Sequence, residues 1–292
     1  MLRRQIGRKF ESLRRAAGLT MEQAAERLDR ARATLHRIEN GAEHVRYRQA
    51  DVQQMLDLYG ASAGDSELLL AMTAATRENK NWWHDYVGSG LPRWFQLYIG
   101  LESAAISLRQ YQAELVPGLL QTRAYAEQLF RMPGGAINSE SIEDQQRAVQ
   151  LRIDRQSLLT RFSAPQLCVI INEAVLRRQV GNATIMAEQL RQIIKASELP
   201  NVTVRVLTFS AGLHAGAMTG AFSILEFPHD GSGQEVEPPV TYLETATGAI
   251  YLDKSHETAA YNAIWADMMN RALNESRSIS LIQQAAEEYD RA

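Results

Sequence analysis

The 292-residue sequence predicts a mainly α-helical protein with an α+β C-terminal part. A small N-terminal domain of five helices precedes a larger domain that is helical at first and mixed α and β afterwards. Three observations predict this. The length suits two domains better than one. Apolar residues recur at helical spacing from the first turn onward, beginning with Ile6, Phe10 and Leu13. After Pro165 the texture changes, and runs rich in β-branched residues enter at Leu167–Ile171 and Val202–Leu207. The boundaries read as 1–78 and 79–292, the second being mainly helical over 79–165 and mixed over 166–292.

The elements follow in order. Residues 2–16 form a helix that Gly18 ends. Thr20 caps a second helix, with Glu22 and Gln23 in its first turn and Ala24, Ala25 and Leu28 on its inner face. A short third helix spans 31–39 and stops at Asn40-Gly41. Helical periodicity continues over 48–59 and 64–78. Asn81–Leu101 is rich in aromatics (Trp82, Trp83, Tyr86, Trp94, Phe95 and Tyr98), which read as core rather than as a ligand pocket. Helical patterns run through 102–130 with a break at Val116-Pro117-Gly118, a Pro/Gly loop covers Met132–Asn138, and a long helix covers 140–161. Strands follow at 167–171, 202–207, 220–227, 239–245 and 249–252. Helices are placed at 173–179, 184–197, 255–273 and 276–290.

Composition is that of an ordinary globular protein, with 45% hydrophobic and 22% charged residues. No apolar run reaches the ~18–20 residues that a membrane-spanning helix needs, and no secretory signal follows Met-Leu-Arg-Arg. A single cysteine, Cys168, reads as a buried small hydrophobe and fits a reducing, cytoplasmic location. The net charge of −3 argues against a nucleic-acid partner until its distribution is read. Residues 1–48 hold twelve Lys and Arg against six Asp and Glu, leaving 19 against 28 for the remainder. A basic head on an acidic remainder is expected where one module meets phosphates and the other does not.

Residues 18–41 explain the basic head. Two short helices must cross closely, and Ala25 supplies the small residue while Leu28, Leu35 and Ile38 fill the wedge. On the third helix Arg32, Ala33, His36 and Arg37 share the face opposite Leu35 and Ile38. An Arg/His front on an apolar back suits the DNA major groove, where Arg binds guanine in bidentate fashion. Arg30, Arg46 and Arg48, beside that face, are expected to meet phosphates.

Gly18, Thr20, Ala25, Leu35, Ile38, Glu39, Asn40 and Gly41 in this register resemble the Xre, or lambda-repressor-like, helix-turn-helix. The resemblance implies that Arg32, Ala33 and Arg37 read bases, that Thr34 and Asn40 lie near phosphates, and that Arg14 and Glu39 form a buried structural ion pair. Met21 and Ala31 depart from the family pattern, which has Gln and a Ser or Thr cap at those positions.

A second resemblance covers residues 80–290. Leu115-Val116-Pro117-Gly118-Leu119-Leu120-Gln121-Thr122 with Tyr125-Ala126, Arg155-Gln156 with Leu158-Leu159, and Asn172-Glu173-Ala174-Val175-Leu176-Arg177-Arg178 carry it, with Phe209–His214 and Tyr242–Thr245. Together they are similar to the C-terminal domain of Scr-type actinobacterial regulators with an Xre-type head. That resemblance implies a small partner protein encoded nearby, in an antitoxin-like arrangement. The alternative for residues 79–292 is a small-molecule sensor. A pocket with convergent polar groups would favour sensing, and an exposed apolar groove or sheet edge would favour a protein.

Chemistry elsewhere is sparse. The histidines (His36, His44, His84, His214, His229 and His256) have no metal-ligand spacing, and the glycines of 212–220 match no phosphate-binding loop. Asn172 and Glu173 read as a helix cap and a first-turn acid rather than as catalytic groups. The expectation is a regulator of transcription that binds double-stranded DNA as a homodimer. No catalytic set, metal, cofactor or membrane partner is expected, and it is not expected to be an enzyme.

Overall fold

Helix α1 (Leu2–Ala16) owes its position to Ile6 and Phe10, one turn apart and both fully buried. Its end is set by Gly18 at φ +69°. There Gly18 N–H donates to the Arg15 carbonyl and Leu19 N–H to the Arg14 carbonyl, the paired bonds of a Schellman stop. Helix α2 (Met21–Arg27) starts in a full capping box between Thr20 and Gln23. Helix α3 (Arg32–Glu39) starts at Ala31, whose side chain makes no cap bond. Helices α4 (Gln49–Leu58) and α5 (Ala63–Ala75) follow. One core joins all five, with Leu28, Leu35, Val52, Leu56 and Leu69 at its centre.

The computed structural model describes residues 2–42, 45–75, 93–132, 142–228 and 238–292. His44, His84, His229, Trp82, Trp83 and Tyr86, the helix end expected at 76–78 and the loop over 133–138 lie outside them. The chain divides into two compact units, Met1–Asp85 and Tyr86–Ala292.

The second unit holds a six-stranded sheet in the order β3-β2-β1-β4-β5-β6. Strands β1 (Ser107–Gln112), β2 (Gln166–Asn172) and β3 (Val202–Leu207) are parallel, with Gln110 opposite Val169 and Val169 opposite Val204. Parallel neighbours need long crossovers. The first is made by α7 (Arg123–Arg131) and α8 (Ile142–Asp154), the second by α9 (Glu173–Arg177) and α10 (Ala183–Ala196). On the other side of β1, strands β4 (Phe222–Glu226), β5 (Val240–Thr245) and β6 (Gly248–Leu252) run as an antiparallel meander. Helix α6 (Arg93–Ala104) precedes β1, and α11 (Ser255–Arg271) and α12 (Glu275–Asp290) close the chain. Trp265 and Met268 of α11 pack against Tyr111, Phe222 and Ile224.

The fold is thus mainly helical, with an α+β second part. One expected helical stretch is corrected. Within 102–130, residues 107–112 are β1, flanked on both sides by other strands. Its sequence, Ser-Leu-Arg-Gln-Tyr-Gln, lacks a strand's alternation because both faces are covered and Gln110 is buried. The helix expected over 140–161 is α8 continued by a tighter 3-10 turn at Arg155–Leu159. Cys168 is half-buried rather than buried, and burial pushes its thiol pKa up. Trp94 and Tyr98 are buried within the second unit, and Asn172 caps α9 through a 2.9 Å bond from Ala174 N–H.

Candidate nucleic-acid interface

The outward face of α3 is built from behind. Leu35 and Glu39 are buried, which turns Arg32, Ala33, His36 and Arg37 to solvent. Glu39 does not enter the core as a bare charge. Arg14 Nε and Nη2 donate to its two oxygens at 2.7 and 2.8 Å, and Arg14 Nη1 donates to the Leu19 carbonyl at 2.8 Å. The hydrogen bond with Glu39 raises the Arg14 pKa, although burial opposes it. Tyr59 lies beside this pair, and burial pushes its phenol up to about 12. The bidentate pair ties α1 to the end of α3 and fixes the angle of the exposed face.

A close approach reinforces that tie. A Cβ on Gly7 of α1 would overlap the carbonyl of Glu39, so only glycine lets the two helices meet there. The sequence pattern did not single out Gly7, because a glycine inside a helix looks neutral until its neighbour is known. The turn from α2 to α3 carries the one non-glycine residue at positive φ among the described residues, Asp29 at 51°. It stands where a Schellman stop prefers glycine, with Asp29 N–H bonded to the Glu26 carbonyl and Arg30 N–H to the Ala25 carbonyl.

The cations of the exposed face are held in different ways. Arg37 lies back along its own helix, with Nε donating to the Ala33 carbonyl at 3.2 Å and Nη2 to Thr34 Oγ1 at 3.3 Å. Asn40 Nδ2 sits 3.3 Å from the His36 ring nitrogens. Arg32 pairs with Glu22 of α2 at 2.8 Å, and Arg30 pairs with Asp51 of α4 at 2.7 Å. Both pairs are solvent-exposed and therefore weak, open to exchange for a phosphate or a base edge. Arg30, Thr34, Arg37 and Arg46 rim a cavity of about 270 Å³ floored by Leu28, Leu35 and Met55. Arg46 and Arg48 are exposed on the segment that leads into α4. The structure therefore brings Arg30, Thr34, Arg37 and Arg46 together, with Arg32, Ala33, His36 and Asn40 on the adjoining exposed surface. Glu22 and Asp51, the partners that orient two of these arginines, were not singled out from sequence. Asp51 lies 21 residues from Arg30, beyond any local periodicity.

This arrangement is that of a helix-turn-helix protein, and residues 5–69 match the family model described as a helix-turn-helix domain. Residues 95–284 match the model described as a domain of unknown function (DUF5753), and the chain belongs to that family. No curated protein matches the chain. The helix-turn-helix match identifies a DNA-binding module of the kind regulators carry. Among the described residues no helix is long and apolar enough to cross a membrane, and no group of three His, Cys, Asp or Glu could hold a metal ion.

Proposed function

We propose that this protein is a sequence-specific, double-stranded-DNA-binding regulator of transcription of the Xre type, acting in the cytoplasm without a catalytic step. The outward Arg32/Ala33/His36/Arg37 face of α3, backed by buried Leu35 and the Glu39–Arg14 pair, carries this reading. Arg32, Ala33 and Arg37 read base edges in the major groove, while Arg30, Thr34, Asn40, Arg46 and Arg48 hold phosphates and His36 completes the face. Removing a base-reading arginine costs ~1–3 kcal/mol and relaxes specificity at one position of the site. The test is binding of Arg37→Ala to a selected duplex and to its scrambled control. Equal discrimination by variant and wild type sinks the reading.

One such module covers few base pairs, so the working unit is proposed to be a homodimer whose two heads lie ~34 Å apart on the DNA. The second unit supplies the self-association surface and, in an antitoxin-like arrangement of actinobacterial type, the dock for a small partner protein encoded nearby. Two features of that unit support a protein contact. Phe209, Leu213 and Met218 stand exposed in the loop after β3, and Ile250 stands exposed on the edge strand β6. Light scattering on the full chain without DNA decides the first part, and a monomer at micromolar concentration removes it.

A further inference from the structure

The cavity of about 270 Å³ in the first unit is lined by one stripe from each of two helices. Thr34, Arg37 and Ile38 of α3 stand at i, i+3 and i+4, and so do Asp51, Gln54 and Met55 of α4. The two ends of this space differ in chemistry. The floor is apolar, since Leu35 and Met55 are 0% and 4% exposed and Leu28 is 9% exposed. Ile38 and Val45, both packed against the core of the unit, continue that wall.

The rim is cationic. Arg30, Arg37 and Arg46 line the cavity against one carboxylate among the described residues, Asp51. That carboxylate is taken by Arg30 at 2.7 Å, so the pair is closed. Arg37 commits Nε and Nη2 to the Ala33 carbonyl and Thr34 Oγ1 of its own helix, at 3.2 and 3.3 Å, and these bonds leave its charge uncompensated. Arg46 has neither an ion pair nor a side-chain hydrogen bond among the described residues. Two positive charges therefore stand over an apolar floor. A DNA phosphate can take the rim, but it brings no apolar group to fill the floor. An apolar cavity of ~150 Å³ already holds a benzene molecule, so the space here suits an apolar body of roughly ten heavy atoms.

We propose that this cavity binds a small amphipathic carboxylic acid, with a medium-length alkyl chain or a fused aromatic ring as its body. The carboxylate meets Arg46 and Arg37 at the rim, and the body lies on Leu28, Leu35, Ile38 and Met55. An apolar molecule without charge leaves the two arginines unmatched, and a bare anion leaves the floor empty. An acid with an apolar body satisfies both. Arg37 and Arg46 are also the groups proposed to hold a base edge and a phosphate, so acid and duplex compete for them and the acid releases DNA. That competition rests on the DNA-binding reading given above, whereas binding of the acid does not.

The test uses the full-length chain with octanoate and 2-naphthoate at millimolar concentration, and with 1-octanol and acetate as the uncharged and the bodiless controls. Both acids are expected to raise the melting temperature of the first unit by ~2–4 °C without moving that of the second, and each control to raise it by less. The Met55 methyl resonance, assigned through Met55→Leu, is expected to move with either acid. Arg46 is exposed, so Arg46→Gln leaves the fold intact, and it is expected to weaken octanoate about 10-fold while 1-octanol binds as before. A Met55 resonance and a melting temperature that neither acid moves overturn the site. Octanoate binding that is undiminished in Arg46→Gln and no tighter than that of 1-octanol overturns it as an acid site. Octanoate is also expected to lower affinity for a selected duplex about 5-fold or more. Acids that bind while duplex affinity stays constant overturn the competition. A chain that binds no duplex at all removes the DNA-binding reading, and the Met55 resonance still decides the site.

Discussion

Each unit of this protein contains a buried, bidentate Arg–Glu pair, and the two pairs sit in different company. In the first unit Arg14 and Glu39 join α1 to α3, with side chains 8% and 3% exposed. In the second, Arg155 and Glu102 join the turn after α8 to α6, with side chains 8% and 2% exposed. Beside the first pair, the Tyr59 hydroxyl is buried without a hydrogen-bond partner among the described residues. The second has Arg152 beside it, one turn earlier on the same segment and, among the described residues, with Gln121 and the Phe130 ring as its contacts rather than an ion pair. Burying a charge is costly, and a closed pair offsets the cost only when its remaining bonds are made. A closed pair therefore marks scaffold, and the charge beside the second is held by an amide and a ring instead.

Breaking either pair tests the scaffold half of this contrast and carries the largest expected effect. Glu39→Ala and Glu102→Ala should each destabilise their own unit by ~3–5 kcal/mol, because the remaining arginine is left buried and unpaired. Calorimetry on the full chain checks this through two transitions. An unchanged first-unit melting temperature with lost DNA binding in Glu39→Ala would move Glu39 from scaffold to interface. Gly7→Ala comes next, at ~1–3 kcal/mol for forcing a methyl group against the Glu39 carbonyl. If its melting temperature matches the wild type, the close crossing of α1 and α3 is not the constraint it is taken for here.

A smaller effect of opposite sign is expected at the turn between α2 and α3. Asp29→Gly relieves a left-handed backbone at 51° and should stabilise the first unit by about 0.5–1 kcal/mol, the gain being reduced by glycine's freedom in the unfolded chain. A loss of stability would show that the Asp29 side chain contributes more than its backbone costs. The smallest effect concerns pH. His214 is buried with Nδ1 unbonded, and burial lowers its pKa below 6.5 despite the nearby Asp267. The unfolded chain then binds a proton more readily than the folded one. The stabilising share of neutral His214 is whole above pH 6.5 and is lost as pH falls through that range. A melting temperature of the second unit that declines on acidification, and declines less in His214→Gln, is the expected outcome. Identical pH profiles for the two would remove His214 from the account.

The first unit was the more legible of the two. Its helices, their caps at Thr20 and Gly18, and the outward set Arg32, Ala33, His36 and Arg37 follow from spacing within single segments of a few turns. In the second unit the strands made of β-branched residues, β2 and β3, could be read in the same way. β1 could not, since Arg109, Gln110 and Gln112 are good helix residues and it is a strand because strands lie on both sides of it. Gly7 was missed for a related reason, as the need for glycine is imposed by α3 and not by α1.

The sequence by itself determined the helices, the helix-turn-helix register, the basic first unit and the change to mixed α and β after Pro165. These depend on side chains three or four positions apart, or two in a strand, and the backbone brings those together whatever the rest of the chain does. Tertiary packing alone decides that Asp51 restrains Arg30, that Glu102 closes on Arg155 across 53 residues, and that Gln121 takes a hydrogen bond from Arg152. Those contacts depend on how separate elements pack, and the energy of a charge is set by what surrounds it, which no local spacing encodes.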